Sequence, residues 1–168
     1  SARPRELAPL AWAETQNNLG NALGALAQRH GDAELLAKAA AAFERALEER
    51  TREAAPDAFA ATQNNLGAVL FSLGQRNKDA KILKSATDAY KQVLEVWTRA
   101  QVPLEWATTM NNLGTAMQAL GMHRKGPRTL EQAAGAFRSA LSERTRERVP
   151  EEWAMTQNNL GAALQKLA

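Results

Sequence analysis

A six-residue phrase that returns at a fixed interval constrains this chain more than any other feature. Thr15-Gln16-Asn17-Asn18-Leu19-Gly20 recurs as Thr62-Gln63-Asn64-Asn65-Leu66-Gly67, as Thr109-Met110-Asn111-Asn112-Leu113-Gly114 and as Thr156-Gln157-Asn158-Asn159-Leu160-Gly161, each copy 47 residues after the last. A large aromatic precedes each copy, at Trp12, Phe59, Trp106 and Trp153, and a proline precedes each aromatic, at Pro9, Pro56, Pro103 and Pro150. Self-similarity at this kind of period marks a stack of small units, none of which can bury its apolar face alone.

Within one period the apolar residues trace two helices. Proline suits a first helical turn, where its missing N–H costs nothing. From there the stripes run Trp12, Leu19, Leu23, Leu26; Phe59, Leu66, Leu70, Leu73; Trp106, Leu113, Met117, Leu120; and Trp153, Leu160, Leu164, Leu167. These spacings predict four A helices. Polar breaks follow at Gln28-Arg29-His30-Gly31, Gln75-Arg76-Asn77-Lys78 and His123-Arg124-Lys125-Gly126, with Asp32 and Asp79 placed to cap the next helix. Three B helices carry Leu36, Ala39, Phe43, Ala46, Leu47; Leu83, Ala86, Tyr90, Val93, Leu94; and Leu130, Ala133, Phe137, Ala140, Leu141. Each B helix is expected to continue through a Thr-Arg pair (Thr51-Arg52, Thr98-Arg99, Thr145-Arg146) and to stop before the next proline. Helix lengths of about 18 to 23 residues, roughly 27 to 35 Å, follow. The expected organisation is a single repeat domain over 1–168, with repeats at about 9–55, 56–102 and 103–149 and a half repeat at 150–168. Entry and exit fall out of phase with whole repeats, as expected of an excerpt of a longer array or of an incomplete cap. Ser1-Ala2 is compatible with the remnant of an expression tag.

Composition removes several function classes. There is no cysteine, so disulfides, thiolate metal sites and cysteine nucleophiles are out. The two histidines, His30 and His123, fall far apart in polar breaks. No metal site, no cofactor and no catalytic constellation is expected, and the chain reads as non-enzymatic. The net charge is only +3, and acids interrupt the richest basic run, Arg144-Thr145-Arg146-Glu147-Arg148. Nucleic-acid binding, which needs basic residues gathered on one face, is not expected. No stretch approaches the roughly 20 apolar residues that span a bilayer, and no signal peptide is visible. The expected setting is cytoplasmic, without membrane attachment.

The core of each unit resembles a tetratricopeptide repeat. That family pairs Leu-Gly with a large residue three positions on, then Ala-x-x-x-aromatic-x-x-Ala. Here the pattern reads Leu19-Gly20, Leu23, Ala39, Phe43, Ala46; Leu66-Gly67, Leu70, Ala86, Tyr90, Val93; and Leu113-Gly114, Met117, Ala133, Phe137, Ala140. Family repeats are about 34 residues long. The excess here falls between the glycine and the alanine, and around the junction of B with the next A. Long repeats with paired asparagines look similar to those of kinesin light chains and of bacterial arrays attached to caspase-like or nucleotide-binding domains. The resemblance implies an all-α fold: a right-handed superhelical solenoid of antiparallel helix pairs, seven helices in all, with the A helices lining a concave groove. It also implies a protein or peptide partner held in that groove.

A helical wheel started at Trp12 separates the asparagines. At 100° per residue, Leu19, Leu23 and Leu26 return to within about 40° of Trp12, Asn17 falls near 140°, Asn18 near 240°, and Glu14 and Asn21 near 180°. Asn17, Asn64, Asn111 and Asn158 are therefore expected to face the groove. Asn18, Asn65, Asn112 and Asn159 lie toward the neighbouring repeat, where bonding between adjacent A helices is the competing role. Asn21, Phe71 and Thr115 complete the expected peptide-binding set, with Met155 and Glu14 beside them. An amide side chain offers a donor and an acceptor and so matches a peptide unit; a ladder of them could hold an extended backbone. The basic residues that a carboxylate clamp would need are replaced by Asn17, Ala61, Thr108 and Asn112. Gly20, Gly67, Gly114 and Gly161 lie mid-helix, at a cost of about 1 kcal/mol each against alanine, which close approach of helix B would offset. Trp12, Trp106 and Trp153 read as core. Trp97 stands where the sister repeats have Arg50 and Arg144, as a partner contact or a packing variant. The alternative to a peptide groove is an oligomerising or regulatory segment of a larger multidomain signalling or caspase-like peptidase protein, self-associating through the uncovered face of 150–168.

Overall fold

The computed structural model describes residues 5–124 and 126–168. Ser1–Pro4 and Lys125 lie outside the described residues, and the reading of Ser1-Ala2 lies there with them. Seven helices follow in order: α1 (Pro9–His30), α2 (Ala33–Leu47), α3 (Pro56–Asn77), α4 (Ala80–Leu94), α5 (Pro103–Arg124), α6 (Pro127–Leu141) and α7 (Pro150–Gln165). The A helices are α1, α3, α5 and α7, and the B helices are α2, α4 and α6. Each A helix begins on its proline. Asp32 and Asp79 cap as expected: one carboxylate oxygen of each accepts two backbone N–H groups, at 2.8 and 3.3 Å for Asp32 and at 2.8 and 3.2 Å for Asp79. At α6 Gly126 takes that place and Pro127 supplies the first turn.

The B helices are shorter than the sequence reading. They end at Leu47, Leu94 and Leu141, at 15 residues each, and the Thr-Arg pairs lie in turns beyond them. The threonine hydroxyls account for this at two of the three junctions. Thr51 Oγ1 accepts the Ala54 N–H at 3.1 Å and Thr145 Oγ1 accepts the Arg148 N–H at 3.3 Å. Such local bonds give the backbone an alternative to another helical turn.

Each A helix packs on the B helix of its own repeat and on the B helix before it, where one is described. Consecutive A helices also touch one another, while no two B helices do among the described residues. The A row is therefore the more closely spaced of the two. The phase-locked glycines let each pair close up. A Cβ at Gly20 would stand 2.6 Å from the Phe43 ring, at Gly67 2.8 Å from Tyr90, and at Gly114 2.7 Å from Phe137. These rings fill the core, with Phe43 1% and Phe137 0% exposed. Burial pushes the Tyr90 hydroxyl pKa upward.

An interior A helix thus has two buried faces. Its leucines pack under the preceding B helix, and its Gly/Ala side lies on its own B helix. Leu66, Leu73, Leu113 and Leu120 are buried, while Leu19 and Leu26 of α1 are 46% and 42% exposed, because no described helix stands on that side. At the other end a Cβ on Gly161 would meet nothing within 4 Å, and Leu164 and Met155 of α7 are exposed.

The asparagine rows and a broken rung

The asparagine row that the wheel turned to the groove has a different role. Asn17 and Asn111 are buried between adjacent A helices, not presented to the groove. Asn17 Oδ1 accepts the Thr62 hydroxyl at 3.0 Å, and Asn111 Oδ1 accepts the Thr156 hydroxyl at 3.2 Å and the Asn159 amide N–H at 3.1 Å. The physical reason is the second buried face. A wheel centred on Trp12 assumes one apolar stripe, but the residues buried in α1 are Ala13, Asn17, Gly20, Gly24 and Ala27, turned about one position from it. Asn158, in the same register on α7, is exposed because no described A helix follows.

The second row lies further out. Asn18 is exposed, and Asn65, Asn112 and Asn159 are half-buried. Asn65 donates to Asn21 Oδ1 at 3.1 Å, so this row also bridges A helices in places. No hydrogen bond ties the side chains of Asn18 or Asn112 to another described residue. Thr115 is half-buried and its hydroxyl donates to the Asn111 carbonyl at 3.0 Å. Phe71 packs partly against the core around Phe137 and Leu113, so only part of its ring is free. The surface of the A row therefore consists of Asn18, Asn21, Asn65, Asn112 and Asn159 among small residues such as Ala22, Ala25 and Ala68. A cleft of about 240 Å³ runs between α1 and α3 past Asn21, Gly24, Asn65 and Ala68.

Sequence reasoning missed the arginine that completes two of the three described rungs. Arg50 donates to the Thr62 hydroxyl at 3.0 Å, and that hydroxyl donates to Asn17. Arg144 repeats the arrangement, donating to Thr156 at 3.0 Å and, through its second nitrogen, to Thr108 at 3.0 Å. Arg144 is 3% exposed; burial pulls its pKa below the ordinary value and nearby Glu152 pulls the other way. At the middle rung the corresponding residue is Trp97. There the Thr109 hydroxyl donates to the Glu105 carbonyl at 2.9 Å, as Thr156 also does to the Glu152 carbonyl at 2.8 Å, and the Asn64 side-chain oxygen is buried with no partner. An unmet buried acceptor costs about 1–3 kcal/mol. Beside it lies a cleft of about 300 Å³ lined by Asn64, Trp97, Leu104, Glu105, Thr108 and Thr109. The signal was present in the sequence, since the threonine repeats four times at the same phase and Trp97 interrupts the arginine.

The tryptophans read as core are half-buried lids. An arginine lies over each aromatic of this series: Arg5 at 4.8 Å from the Trp12 ring centre, Arg52 at 5.8 Å from Phe59, Arg99 at 5.6 Å from Trp106 and Arg146 at 5.8 Å from Trp153. Three of these arginines also reach an acid one repeat on, Arg5 to Glu49, Arg52 to Glu95 and Arg99 to Glu143. Arg99 first, and then Arg148, hold the Glu143 carboxyl below its ordinary pKa through hydrogen bonds.

Among the described residues no three His, Asp or Glu side chains gather as metal ligands, and no helix is long and apolar enough to cross a membrane. A family model described as tetratricopeptide repeat matches residues 12–53 and 59–100, half of the chain. No curated protein and no solved structure matches the chain.

Proposed function

The chain belongs to the tetratricopeptide repeat family, whose arrays generally act in protein–protein interaction and not in catalysis, and from that premise we propose that it binds an extended polypeptide along the row of A helices. The observation that carries this reading is the outer asparagine row. Asn18, Asn65, Asn112 and Asn159 repeat at one helical position on a surface of short, nearly uncharged side chains. Solenoids use the inner, more closely spaced row of helices as an extended binding surface. Asn18 and Asn112 keep both a donor and an acceptor for a peptide unit. Each such bond contributes about 0.5–1.5 kcal/mol net, so micromolar affinity, roughly −8 kcal/mol, needs several repeats acting together. The buried pair Asn17 and Asn111 serves the reading by fixing the spacing of the rungs.

The test is a peptide array screened with wild type and with the Asn18→Ala/Asn112→Ala double variant, followed by titration of the best peptides. A folded double variant that binds those peptides as tightly as wild type would sink the proposal. A second reading, self-association, is favoured by the exposed Met155 and Leu164 on α7. Light scattering over a concentration series tests it; a strict monomer at high concentration counts against it.

A further inference from the structure

We propose that the cleft at Trp97 takes an arginine side chain presented by a partner polypeptide, which supplies in trans the guanidinium that the sister rungs supply in cis. The internal comparison carries the argument. Two of the three described rungs contain a guanidinium lodged against a threonine hydroxyl, Arg50 on Thr62 and Arg144 on Thr156. Thr109 occupies the same position in the third, and it is 1% exposed. Only there is the arginine replaced, and only there is the asparagine oxygen buried without a partner, at Asn64. The cleft of about 300 Å³ lies at this rung, and Asn64, Trp97 and Thr109 all line it.

The lining suits a guanidinium in charge as well as in shape. Glu105 is the counterpart, one repeat back, of Glu152, whose charge favours the cationic form of Arg144. Glu105 has kept its place at a rung with no arginine of its own. Trp97 adds an aromatic face, on which a planar guanidinium stacks better than an ammonium. Thr108 and Thr109 add hydroxyl acceptors, and the fork of five N–H donors can reach several acceptors at once. The Asn64 oxygen is closed to solvent, so reaching it takes a small outward shift of the side chains around it. An apolar side chain would leave the Asn64 oxygen unmet, and an acidic one would meet Glu105 as a like charge.

The proposal depends on the protein-binding reading only for the source of the arginine; the chemistry of the cleft stands on the comparison of rungs. The experiment therefore uses a small probe. Nα-acetyl-arginine methylamide and its lysine counterpart are titrated into the isotope-labelled full chain and followed by amide and indole N–H chemical shifts. The expected result is saturable shifts at the Trp97 indole and at Thr108 and Thr109, with the lysine probe and the Glu105→Gln variant each about ten-fold weaker. Trp97→Arg should abolish these shifts by restoring the cis guanidinium. No saturable shift at these groups, equal binding of the lysine probe, or undiminished binding to Trp97→Arg would each overturn the proposal. If Trp97→Arg does not fold, Glu105→Gln, a change at an exposed position, decides the matter alone. None of these outcomes touches Asn18 or Asn112, so failure here is distinguishable from failure of the A-row reading.

Discussion

Replacing one mid-helix glycine by alanine should weaken the array at one position and strengthen it at another, and the difference measures how tightly the helix pairs close. At Gly114 a Cβ would stand 2.7, 2.9 and 3.0 Å from Cε1, Cδ1 and Cζ of Phe137. Favourable carbon–carbon separation is about 3.5–4.0 Å, so the ring must recede by roughly 0.8 Å or more. It has nowhere to go: Phe137 is 0% exposed and is surrounded by Leu113, Met117, Ala133 and Ala134 of the same core. Overpacking of this kind costs about 1–3 kcal/mol. Removing a glycine from a helix interior returns about 1 kcal/mol. The net expectation for Gly114→Ala is therefore a loss of about 0–2 kcal/mol.

Gly135, in the middle of α6, supplies the control. It is exposed and a Cβ there meets nothing within 4 Å, so Gly135→Ala should gain about 1 kcal/mol from propensity alone. The propensity term is common to both variants, and the gap between them, about 1–3 kcal/mol, isolates the contact with Phe137. Urea unfolding followed by circular dichroism gives both values. In a chain of this size each kcal/mol moves Tm by about 2–4 °C, and amide exchange in α5 and α6 localises the change if unfolding spreads along the array. Phe137→Leu should relieve the Gly114→Ala penalty in a double-mutant cycle. Equal stability of Gly114→Ala and Gly135→Ala, or a cycle with no coupling, would refute the close-approach argument.

The asparagine rows should separate by stability. Asn111→Ala removes the acceptor shared by Thr156 and Asn159 and should cost about 1–3 kcal/mol, whereas the adjacent Asn112→Ala should stay within about 0.5 kcal/mol; thermal melts of the two variants check this. The Glu143 carboxyl, held below its ordinary pKa by Arg99 and Arg148, stabilises the fold at pH above the unfolded-state pKa and loses that contribution as pH falls through the lower folded-state value. Glu143→Gln should thus be less stable than wild type at neutral pH, and the gap should close in acid; a gap that is constant or widens on acidification would contradict the assignment.

How far the sequence could be read depends on how many neighbours a helix has. Where one contact dominates, period and chemistry suffice: the prolines open the A helices, Asp32 and Asp79 cap the B helices, and Gly20, Gly67 and Gly114 meet the aromatic of their own B helix. Where two or three contacts compete, a single wheel misplaces residues by about one position. That error is small in angle and large in consequence, because it exchanged Asn17 with Asn18 between interior and surface. It also hid the Arg50–Thr62–Asn17 relay, whose members come from α1, from α3 and from the turn after α2 and share no local pattern. The repeat itself holds the information needed to correct this. A polar residue that is identical in phase across repeats and absent from the charged faces is as well explained by a bond to the next repeat as by a ligand, and the two part company at the rung where the pattern breaks. Trp97 is that break. Its arginine is gone while Asn64, Thr109 and Glu105 remain, so Thr109 lacks the guanidinium donor of its sisters and the Asn64 oxygen lacks the threonine hydroxyl that Asn17 and Asn111 accept. The unmet Asn64 oxygen costs about 1–3 kcal/mol, which a donor brought into the rung would offset. That unmet acceptor beside an open cleft is the point at which the scaffold's own bonding pattern bears on the proposal of an arginine supplied by a partner.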